Sequence, residues 1–360
     1  MTLSNIFTPT FTVFFLISLG ILIGKIKLRN VQLGHAAVLG ISLLLGILIG
    51  RTSIFPGASL LAHCSFLSSL GTVIFISVIG LHAGTVFSHA KQKRLWKAFL
   101  GGCSIVLIGV ITTIVLFCLD SSFQPDLLLG IFAGATTSTP TLSAVQEFYG
   151  QASMGSIGYG MAYCIGVLSI TLFVQFIPCP QRTEPIFEQQ PTNRSISQTD
   201  GLLLLALCVL IGSQIGWILP IGNTGGYLLG GILIGWLFAN KKRTLPDMNL
   251  LKQLGLSLFL IGTGLPAGVQ LKSGLPLRGL LYGSLISLGS ILIGYLLLRF
   301  LFHYSVADTL TILCGGMTST PAIGILQQKN GGIYLSIYAM AYTGALITLL
   351  TSIQILFHIS

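Results

Sequence analysis

The stretch GATTSTP at Gly134–Pro140 returns as GGMTSTP at Gly315–Pro321. Each copy begins in a run of apolar residues and ends in Thr-Ser-Thr-Pro. A proline inside a helix cannot donate a backbone hydrogen bond, and it pushes the residue before it toward extended geometry. The two copies therefore predict a helix that is interrupted at the same motif in each half of the chain.

The sequence around both motifs is apolar enough for a lipid bilayer. Of the 360 residues, 53% are hydrophobic and 7% are charged, and the mean hydropathy is +0.91. A soluble globular chain carries about 25% charged residues, and a disordered chain has the opposite composition. We therefore predict an all-α polytopic integral membrane protein.

Twelve apolar segments have lengths that suit a hydrocarbon layer of about 30 Å. None contains any of the 18 basic or 8 acidic residues, as expected from the cost of a charge in the bilayer. The segments are 6–24, 34–50, 65–83, 98–119, 127–146, 157–178, 201–219, 223–239, 253–271, 279–298, 309–326 and 333–357.

Matched motifs follow one another in the same order in both halves, about 180 residues apart. This duplication predicts a first transmembrane repeat at 1–178, a polar linker at 179–200 and a second transmembrane repeat at 201–360. Each repeat holds six segments. Small residues spaced by four let helices approach closely, and we expect the Gly-x-x-x-Gly pairs to do so within each half. The pairs begin at Gly20 and Gly212, at Gly46 and Gly231, and at Gly80 and Gly264.

The distribution of Lys and Arg between loops tests how the segments cross. If all twelve cross with the N-terminus outside, the cytoplasmic loops hold 10 of the 18 basic residues. If the fifth and eleventh segments enter and return on the same side, the cytoplasmic loops hold 15 and the exterior 3. The positive-inside rule favours the second arrangement, which makes the halves an inverted repeat. Many secondary transporters share this plan and bind substrate near the midplane. Broken helices that cross completely stay open as the alternative.

Both Thr-Ser-Thr-Pro motifs lie about ten residues into their segments, which is about 15 Å or half the hydrocarbon thickness. Backbone groups freed by the break need partners there, and the positive end of the following helix suits an anion. The hydroxyl groups add hydrogen-bonding capacity. The glutamines six residues past each proline either contact the solute or cap the returning arm. The predicted substrate-binding residues are Thr137, Ser138, Thr139, Pro140, Gln146, Thr318, Ser319, Thr320, Pro321 and Gln327.

Other features argue against different functions. The net charge of +10 follows from basic cytoplasmic loops, so we predict no nucleic-acid partner. The seven cysteines form no CxxC pair, and we predict no metal, no cofactor and no catalytic residue. The chain has neither an HExxH motif nor a carboxylate pair at depth, so an intramembrane enzyme is disfavoured. We expect the tyrosine pairs Tyr159/Tyr163 and Tyr338/Tyr342 to serve packing, and His82 to be satisfied or interfacial.

The repeated motifs resemble the aspartate:alanine exchanger family of bacterial permeases, whose membrane domain is a duplicated module. The resemblance rests on the two Gly-x-x-Thr-Ser-Thr-Pro motifs, the Gly-x-x-x-Gly pairs, and the stretches LGTVIFISVIGLHAG from Leu70 and LGLSLFLIGTGLPAG from Leu254. It implies exchange of amino acids or small carboxylates, a homodimer, and a multi-pass location in the bacterial cytoplasmic (inner) membrane. Many members carry soluble regulatory domains between the halves, where this chain has only the linker.

The expected function is secondary active transport, in which a small anionic or zwitterionic solute is exchanged across the lipid bilayer by alternating access. A proton- or sodium-coupled transporter is one alternative, but such proteins usually need intramembrane acids, and the twelve segments have none. A passive anion channel is the other. Flux that saturates and accelerates with solute on the far side distinguishes exchange from a channel.

Overall fold

The structure, a computed structural model, describes the chain except residues 1–7, 29–30, 33–35, 52–56, 89–92, 121–122, 151–152, 180–193, 196, 219–221, 242, 271–277, 320, 324, 327–334 and 360. The helices are α1 Pro9–Gly24, α2 Ala36–Arg51, α3 Gly57–Ser88, α4 Lys93–Leu119, α5 Pro125–Ala135, α6 Thr139–Tyr149, α7 Gly155–Phe176, α8 Gln198–Ile218, α9 Gly222–Asn240, α10 Asn249–Gln270, α11 Arg278–Leu296, α12 Val306–Gly316 and α13 Leu335–Ile359. A π-helical turn at Leu297–Leu301 continues α11, and residues 321–323 and 325–326 are also helical.

Extended structure in the described residues is limited to two short pairings. Strands β1 (Lys27–Leu28) and β2 (Val31–Gln32) pair antiparallel, and β3 (Arg194–Ser195) pairs parallel with β4 (Arg243–Thr244). Seven of the described helices, α3, α4, α7, α8, α10, α11 and α13, are long and apolar enough to cross a membrane. Helices α1 and α2 are apolar but have 16 residues each. The prediction of an all-α, multi-pass membrane protein is confirmed.

The helices form two groups, each built from both repeats. In the scaffold group, α1 packs on α2, α8 on α9, α2 on α10, and α3 on both α9 and α10. In the hairpin group, α5 packs on α7, α12 on α13, α7 on α11, and α4 on both α11 and α13. Each contact in one repeat has its counterpart in the other, so the two groups share one pseudo-two-fold axis.

Equivalent helices of the two repeats run antiparallel where they meet. Gly71 of α3 lies against Gly255 of α10, and Ser68 lies against Gly262, so the numbering rises along one helix as it falls along the other. Helices α4 and α11 cross in the same antiparallel sense. Antiparallel packing of equivalent helices is the geometry of an inverted repeat, and that prediction is confirmed.

The repeated Gly-x-x-x-Gly pairs serve two kinds of contact. Gly20 packs on Val38 within the first half, as predicted. Gly80, however, packs on Gly231 of the other half, and a Cβ atom added at Gly80 would lie 3.0 Å from the Gly231 Cα. The Gly46 pair likewise meets α10. The prediction that all these glycines act within one half is therefore wrong, because α2 and α9 each pack on the third helix of the opposite repeat.

Candidate functional site

The first Thr-Ser-Thr-Pro segment enters the helix bundle and returns on the same side. Helices α5 and α6 have 11 residues each, so a continuous crossing would place their ends about 33 Å apart. Instead, the Asp126 carboxylate at the start of α5 accepts a hydrogen bond of 2.7 Å from the Met154 N–H. Met154 follows the end of α6 at Tyr149 by only five residues, which reach about 17 Å at most. The α5–α6 segment is therefore a re-entrant hairpin.

The second segment repeats the contacts of the first. Gly134 of α5 lies against the Tyr159 backbone of α7, and Gly315 of α12 lies against the Tyr338 backbone of α13. Gly134 and Gly315 hold equivalent positions in the two repeats, and so do Tyr159 and Tyr338. The return arm of the second hairpin is described over helical residues 321–323 and 325–326.

The two hairpins enter from opposite faces of the molecule. Helix α5 follows directly on the C-terminal end of α4. Helix α12 begins beside the N-terminal end of α4, where Arg94 contacts the Asp308 carboxylate at 2.7 Å. Because the 27 residues of α4 span about 40 Å, its ends mark the two faces of the molecule. We call these the Lys93 face and the Asp120 face, after residues at the two ends of α4.

A strained turn closes the first hairpin. Thr137 has φ 55°, in the left-handed region, which costs a non-glycine residue about 1–2 kcal/mol. Its N–H donates to the Gly134 carbonyl at 2.9 Å, and the Ser138 N–H donates to the Ala133 carbonyl at 2.9 Å. These two bonds form a Schellman motif, which ends a helix by satisfying its last carbonyl groups.

The second hairpin closes in the same way. Thr318 has φ 49°, and its N–H donates to the Gly315 carbonyl at 2.9 Å. The Ser319 N–H donates to the Cys314 carbonyl, also at 2.9 Å. Glycine is the usual residue at this position, so the threonine side chain at both turns has another role.

That role is a reciprocal contact between the two hairpin tips. The Thr137 hydroxyl donates to the Met317 carbonyl at 2.5 Å, and the Thr318 hydroxyl donates to the Thr136 carbonyl at 3.0 Å. Both threonine side chains are buried. Two buried hydrogen bonds, each worth about 1 kcal/mol, offset much of the backbone strain. The tips therefore meet on the pseudo-two-fold axis.

The serines of both motifs start the returning helices. The Ser138 hydroxyl accepts from the Thr141 N–H at 3.4 Å and from the Thr141 hydroxyl at 2.7 Å. The Ser319 hydroxyl accepts from the Ala322 N–H at 3.4 Å. Both serines are completely buried, and they act as N-caps in this structure. Pro140 occupies the first turn of α6, where a missing N–H costs no helical hydrogen bond.

The remaining predicted residues differ in their surroundings. The Thr139 hydroxyl bonds the Tyr159 hydroxyl at 2.9 Å, and the Tyr159 and Tyr163 rings pack with centroids 5.2 Å apart. Pro321 begins the helical part of the second return arm. Thr320 and Gln327 lie outside the described residues.

Gln146 reaches a polar pocket beside the first hairpin. Its side chain is 5% exposed and its amide contacts the Ser156 hydroxyl, while its second amide atom, Oε1, has no partner among the described residues. The pocket measures about 150 Å³ and lies between α6 of the hairpin group and α3, α9 and α10 of the scaffold group. We call it the α6 pocket. It is lined by Ser68, Ser69, Thr72, Val73, Ser143, Gln146, Glu147, Asn223, Thr224, Tyr227 and Phe259.

Hydrogen bonds across the α6 pocket join the two groups of helices. Ser143 of α6 lies 3.0 Å from the Thr72 hydroxyl of α3 and 3.4 Å from the Thr224 hydroxyl of α9. The Glu147 carboxylate accepts the N–H groups of Asn223 and Thr224 at the start of α9. Sequence reasoning missed Glu147 because the apolar segment ends one residue before it. The other repeat has Gln328 at the equivalent position, and this difference between the repeats could have identified Glu147.

Within the described ranges, no three His, Cys, Asp or Glu side chains lie close enough to hold a metal ion. The chemistry that the hairpin tips and the α6 pocket offer is hydrogen bonding by hydroxyl groups, amides and helix N-termini. Such groups can bind a small polar solute and release it again.

Sequence comparison agrees with the duplicated architecture. A family profile for aspartate–alanine exchangers, described as a predicted permease membrane region, matches residues 12–179 and 202–358. The chain is 33% identical over 181 residues to an uncharacterized transporter of Desulfotalea psychrophila, an alignment that covers 50% of this chain and 31% of the relative. It is 32% identical over 167 residues to an uncharacterized transporter of Rhodopirellula baltica, with 46% of this chain and 29% of the relative covered.

A third relative, an uncharacterized transporter of Bacteroides thetaiotaomicron, is 29% identical over 202 residues, covering 55% of this chain and 35% of its own length. The alignments thus span about a third of each relative. The family profile, by contrast, matches nearly all of both transmembrane repeats of this chain. The chain therefore belongs to the aspartate:alanine exchanger family of permease membrane regions.

Proposed function

We propose that this protein is a secondary transporter that exchanges amino acids or small carboxylates by alternating access in the bacterial cytoplasmic membrane. The observation that carries this proposal is the pair of re-entrant hairpins that enter from opposite faces and meet at their tips. Each hairpin leads from one face to the middle of the molecule. The contact between the tips is a barrier that a solute can approach from either side.

The backbone at the tips supports an anionic or zwitterionic solute. Helix α6 begins at one tip and the return arm after Pro321 begins at the other. Helix N-termini carry partial positive charge, which favours a carboxylate without any arginine. Thr137, Ser138, Thr318 and Ser319 already bond protein groups, so a solute bound by their hydroxyls must replace those bonds.

Two predicted residues are better placed to contact a solute directly. The Thr139 side chain is only partly buried at the tip, and its hydroxyl, which bonds the Tyr159 hydroxyl, can make a further hydrogen bond. Gln146 lines the α6 pocket, and its Oε1 atom has no hydrogen-bond partner among the described residues. We propose Thr139, Gln146 and their repeat counterparts Thr320 and Gln327 as solute contacts, with the other motif residues shaping the turn.

Counterflow in proteoliposomes tests the proposal. Vesicles containing the purified protein are loaded with one unlabelled amino acid or dicarboxylate, and uptake of the same labelled solute is followed. Exchange predicts saturable uptake that requires solute inside. Uptake driven by an imposed proton or sodium gradient without internal solute would favour the ion-coupled alternative. Flux that neither saturates nor accelerates with solute on the far side would favour a channel.

We also propose a homodimer, which is supported by the family resemblance. Light scattering of the detergent-purified protein, corrected for bound detergent, measures the protein mass directly. The 38.3 kDa chain should give twice that mass. A single-chain mass, with exchange activity retained, would overturn the dimer.

A further inference from the structure

A second pocket lies beside α13, the helix that follows the second hairpin, toward the Lys93 face. It measures about 170 Å³ and separates α3 and α10 of the scaffold group from α13 of the hairpin group. We call it the α13 pocket. It is lined by Ile79, His82, Ala83, Val86, Lys252, Tyr338, Ala339, Tyr342 and Thr343.

One wall of the α13 pocket carries an unused hydroxyl group. The Tyr338 Oη is buried and makes no hydrogen bond to any described residue. Its repeat counterpart, Tyr159, uses the same atom to bond Thr139 at 2.9 Å. An unpaired buried hydroxyl destabilises the protein, and a bound acceptor would remove that penalty. Tyr338 thus offers a donor that Tyr159 does not.

The opposite wall carries the positive charge. Lys252 and His82 occupy positions that hold Ser68 and Pro266 in the other repeat, so both are departures from the repeat. Across the described part of the chain, no carboxylate lies within ion-pair distance of the Lys252 ammonium group. Asp247 is the acid whose charge acts on both Lys252 and His82.

The other polar groups near this wall have partners of their own. One Asp247 oxygen already accepts the Asn249 N–H at 2.9 Å. The His82 Nδ1 atom lies 2.9 Å from the Val78 carbonyl, which leaves its second ring nitrogen for another contact. Besides this ring nitrogen, the lining groups without a hydrogen bond to a described residue include the Lys252 ammonium group and the Tyr338 phenol.

We propose that the α13 pocket binds the carboxylate group of a small solute, with the Lys252 ammonium group and the Tyr338 hydroxyl as donors. The proposal rests on the function proposed above and names a subsite on the path to the hairpin tips. Tyr338 connects the α13 pocket to the second hairpin tip, because its backbone carbonyl lies against Gly315, three residues before the strained Thr318. A solute held here stands beside the second tip on the side of the Lys93 face.

Binding of radiolabelled aspartate, succinate and alanine to the detergent-purified protein tests the subsite. Lys252→Gln removes the charge and should weaken binding of the carboxylate probes about tenfold, the value of one charge-assisted hydrogen bond. Tyr338→Phe keeps the ring and should weaken binding about three- to tenfold. Lys241→Gln, at an exposed lysine outside the pocket, is the matched control and should leave the affinity unchanged.

The outcomes separate this inference from the proposed function. Unchanged affinity in both pocket variants overturns the subsite, even where counterflow is normal. Failure of the wild type to bind any of the three probes also overturns it. A wild type that binds a probe but shows no counterflow overturns the exchange function and leaves the subsite standing. Because Tyr338→Phe is nearly isosteric, it decides the matter if Lys252→Gln does not fold.

Discussion

In the first hairpin the Tyr159 hydroxyl is bonded to Thr139, whereas in the second its counterpart Tyr338 has no partner within the described residues. The turns themselves match closely, since Thr137 and Thr318 share the left-handed conformation and exchange hydrogen bonds across the axis. The duplicated chain has kept the backbone arrangement that joins the tips. The hydrogen bonding of the tyrosines behind the tips differs.

The two pockets differ in the charged side chains that line them. The α6 pocket contains one acid, Glu147, where the other repeat has Gln328. The α13 pocket contains a base, Lys252, where the other repeat has Ser68. Repeat symmetry alone would make the two sides equivalent, so in the proposed exchange these departures would give the two directions different binding steps.

The largest effect we expect is a difference in maleimide labelling between the Asp120 face and the Lys93 face. In a background without native cysteines, Arg278→Cys on the Asp120 face should react with an impermeant maleimide in intact cells. Lys93→Cys should react only after the cells are permeabilised, because the basic residues concentrate on the cytoplasmic side. Both positions are exposed in the structure. The reverse pattern would contradict the orientation, although not the inverted repeat.

Bulky residues at the base of either tip should prevent folding. A Cβ atom at Gly134 would lie 2.5 Å from the Tyr159 carbonyl oxygen, and one at Gly315 would lie 2.7 Å from that of Tyr338. We expect Gly134→Leu and Gly315→Leu each to destabilise the protein by about 3 kcal/mol or more. The yield of monodisperse protein measures the effect. Gly40→Leu is the control, because nothing lies within 4 Å of a Cβ atom there. Tolerance of leucine in only one of the two hairpins would contradict their matching backbone contacts.

Removing the hydroxyl at the first tip should impair transport more than stability. Thr139→Val should lower the rate of counterflow about tenfold, the equivalent of one hydrogen bond, while folded protein stays in the membrane. We expect Thr320→Val to have a similar effect. Thr112→Val is the control, because among the described residues this hydroxyl bonds the Ile108 carbonyl of its own helix at 2.9 Å, and the change should be nearly neutral. Unchanged kinetics in both tip variants would count against these residues as solute contacts.

The smallest effect we expect is on the free energy of unfolding, when the hydroxyl of Tyr159 or of Tyr338 is removed. Tyr159→Phe should lower the free energy of unfolding by about 1 kcal/mol, because it removes a formed hydrogen bond. Tyr338→Phe should instead raise it by about 1 kcal/mol or more in the absence of solute, because it removes a buried hydroxyl that no described residue satisfies. Thermal unfolding of the two purified variants measures the difference. Equal losses would mean that the Tyr338 hydroxyl has a partner after all.

Much of the fold could be predicted from the sequence because its determinants are local. Segment lengths and the absence of charge identified the membrane helices, and the prolines after Thr139 and Thr320 located both breaks. Loop charge favoured re-entrant segments, and the contact between Asp126 and Met154 confirms this for the first hairpin. That contact depends on where a distant loop returns, which local sequence does not encode.

The partners of individual groups were not predictable for the same reason. The Gly80 pair was expected to act within its own half, yet it packs across halves, because any small-residue surface suits several helices. The hydroxyls of Thr137 and Thr318 were expected to face a solute, and that role remains a prediction. In the structure, each hydroxyl bonds the opposite tip. The Gln146 Oε1 atom has no partner among the described residues because of packing that no sequence motif encodes.

Both pockets lie along helix α3, and they lie at different heights. The α6 pocket contacts residues 68–73 of this helix and the α13 pocket contacts residues 79–86, about 18 Å further along. The hairpin group forms one wall of each pocket, and its tips touch between them. A rigid body that rotates about a central point moves its two ends in opposite directions. Rocking of the hairpin group about the joined tips would therefore widen one pocket as it narrows the other, so both would not stand open together.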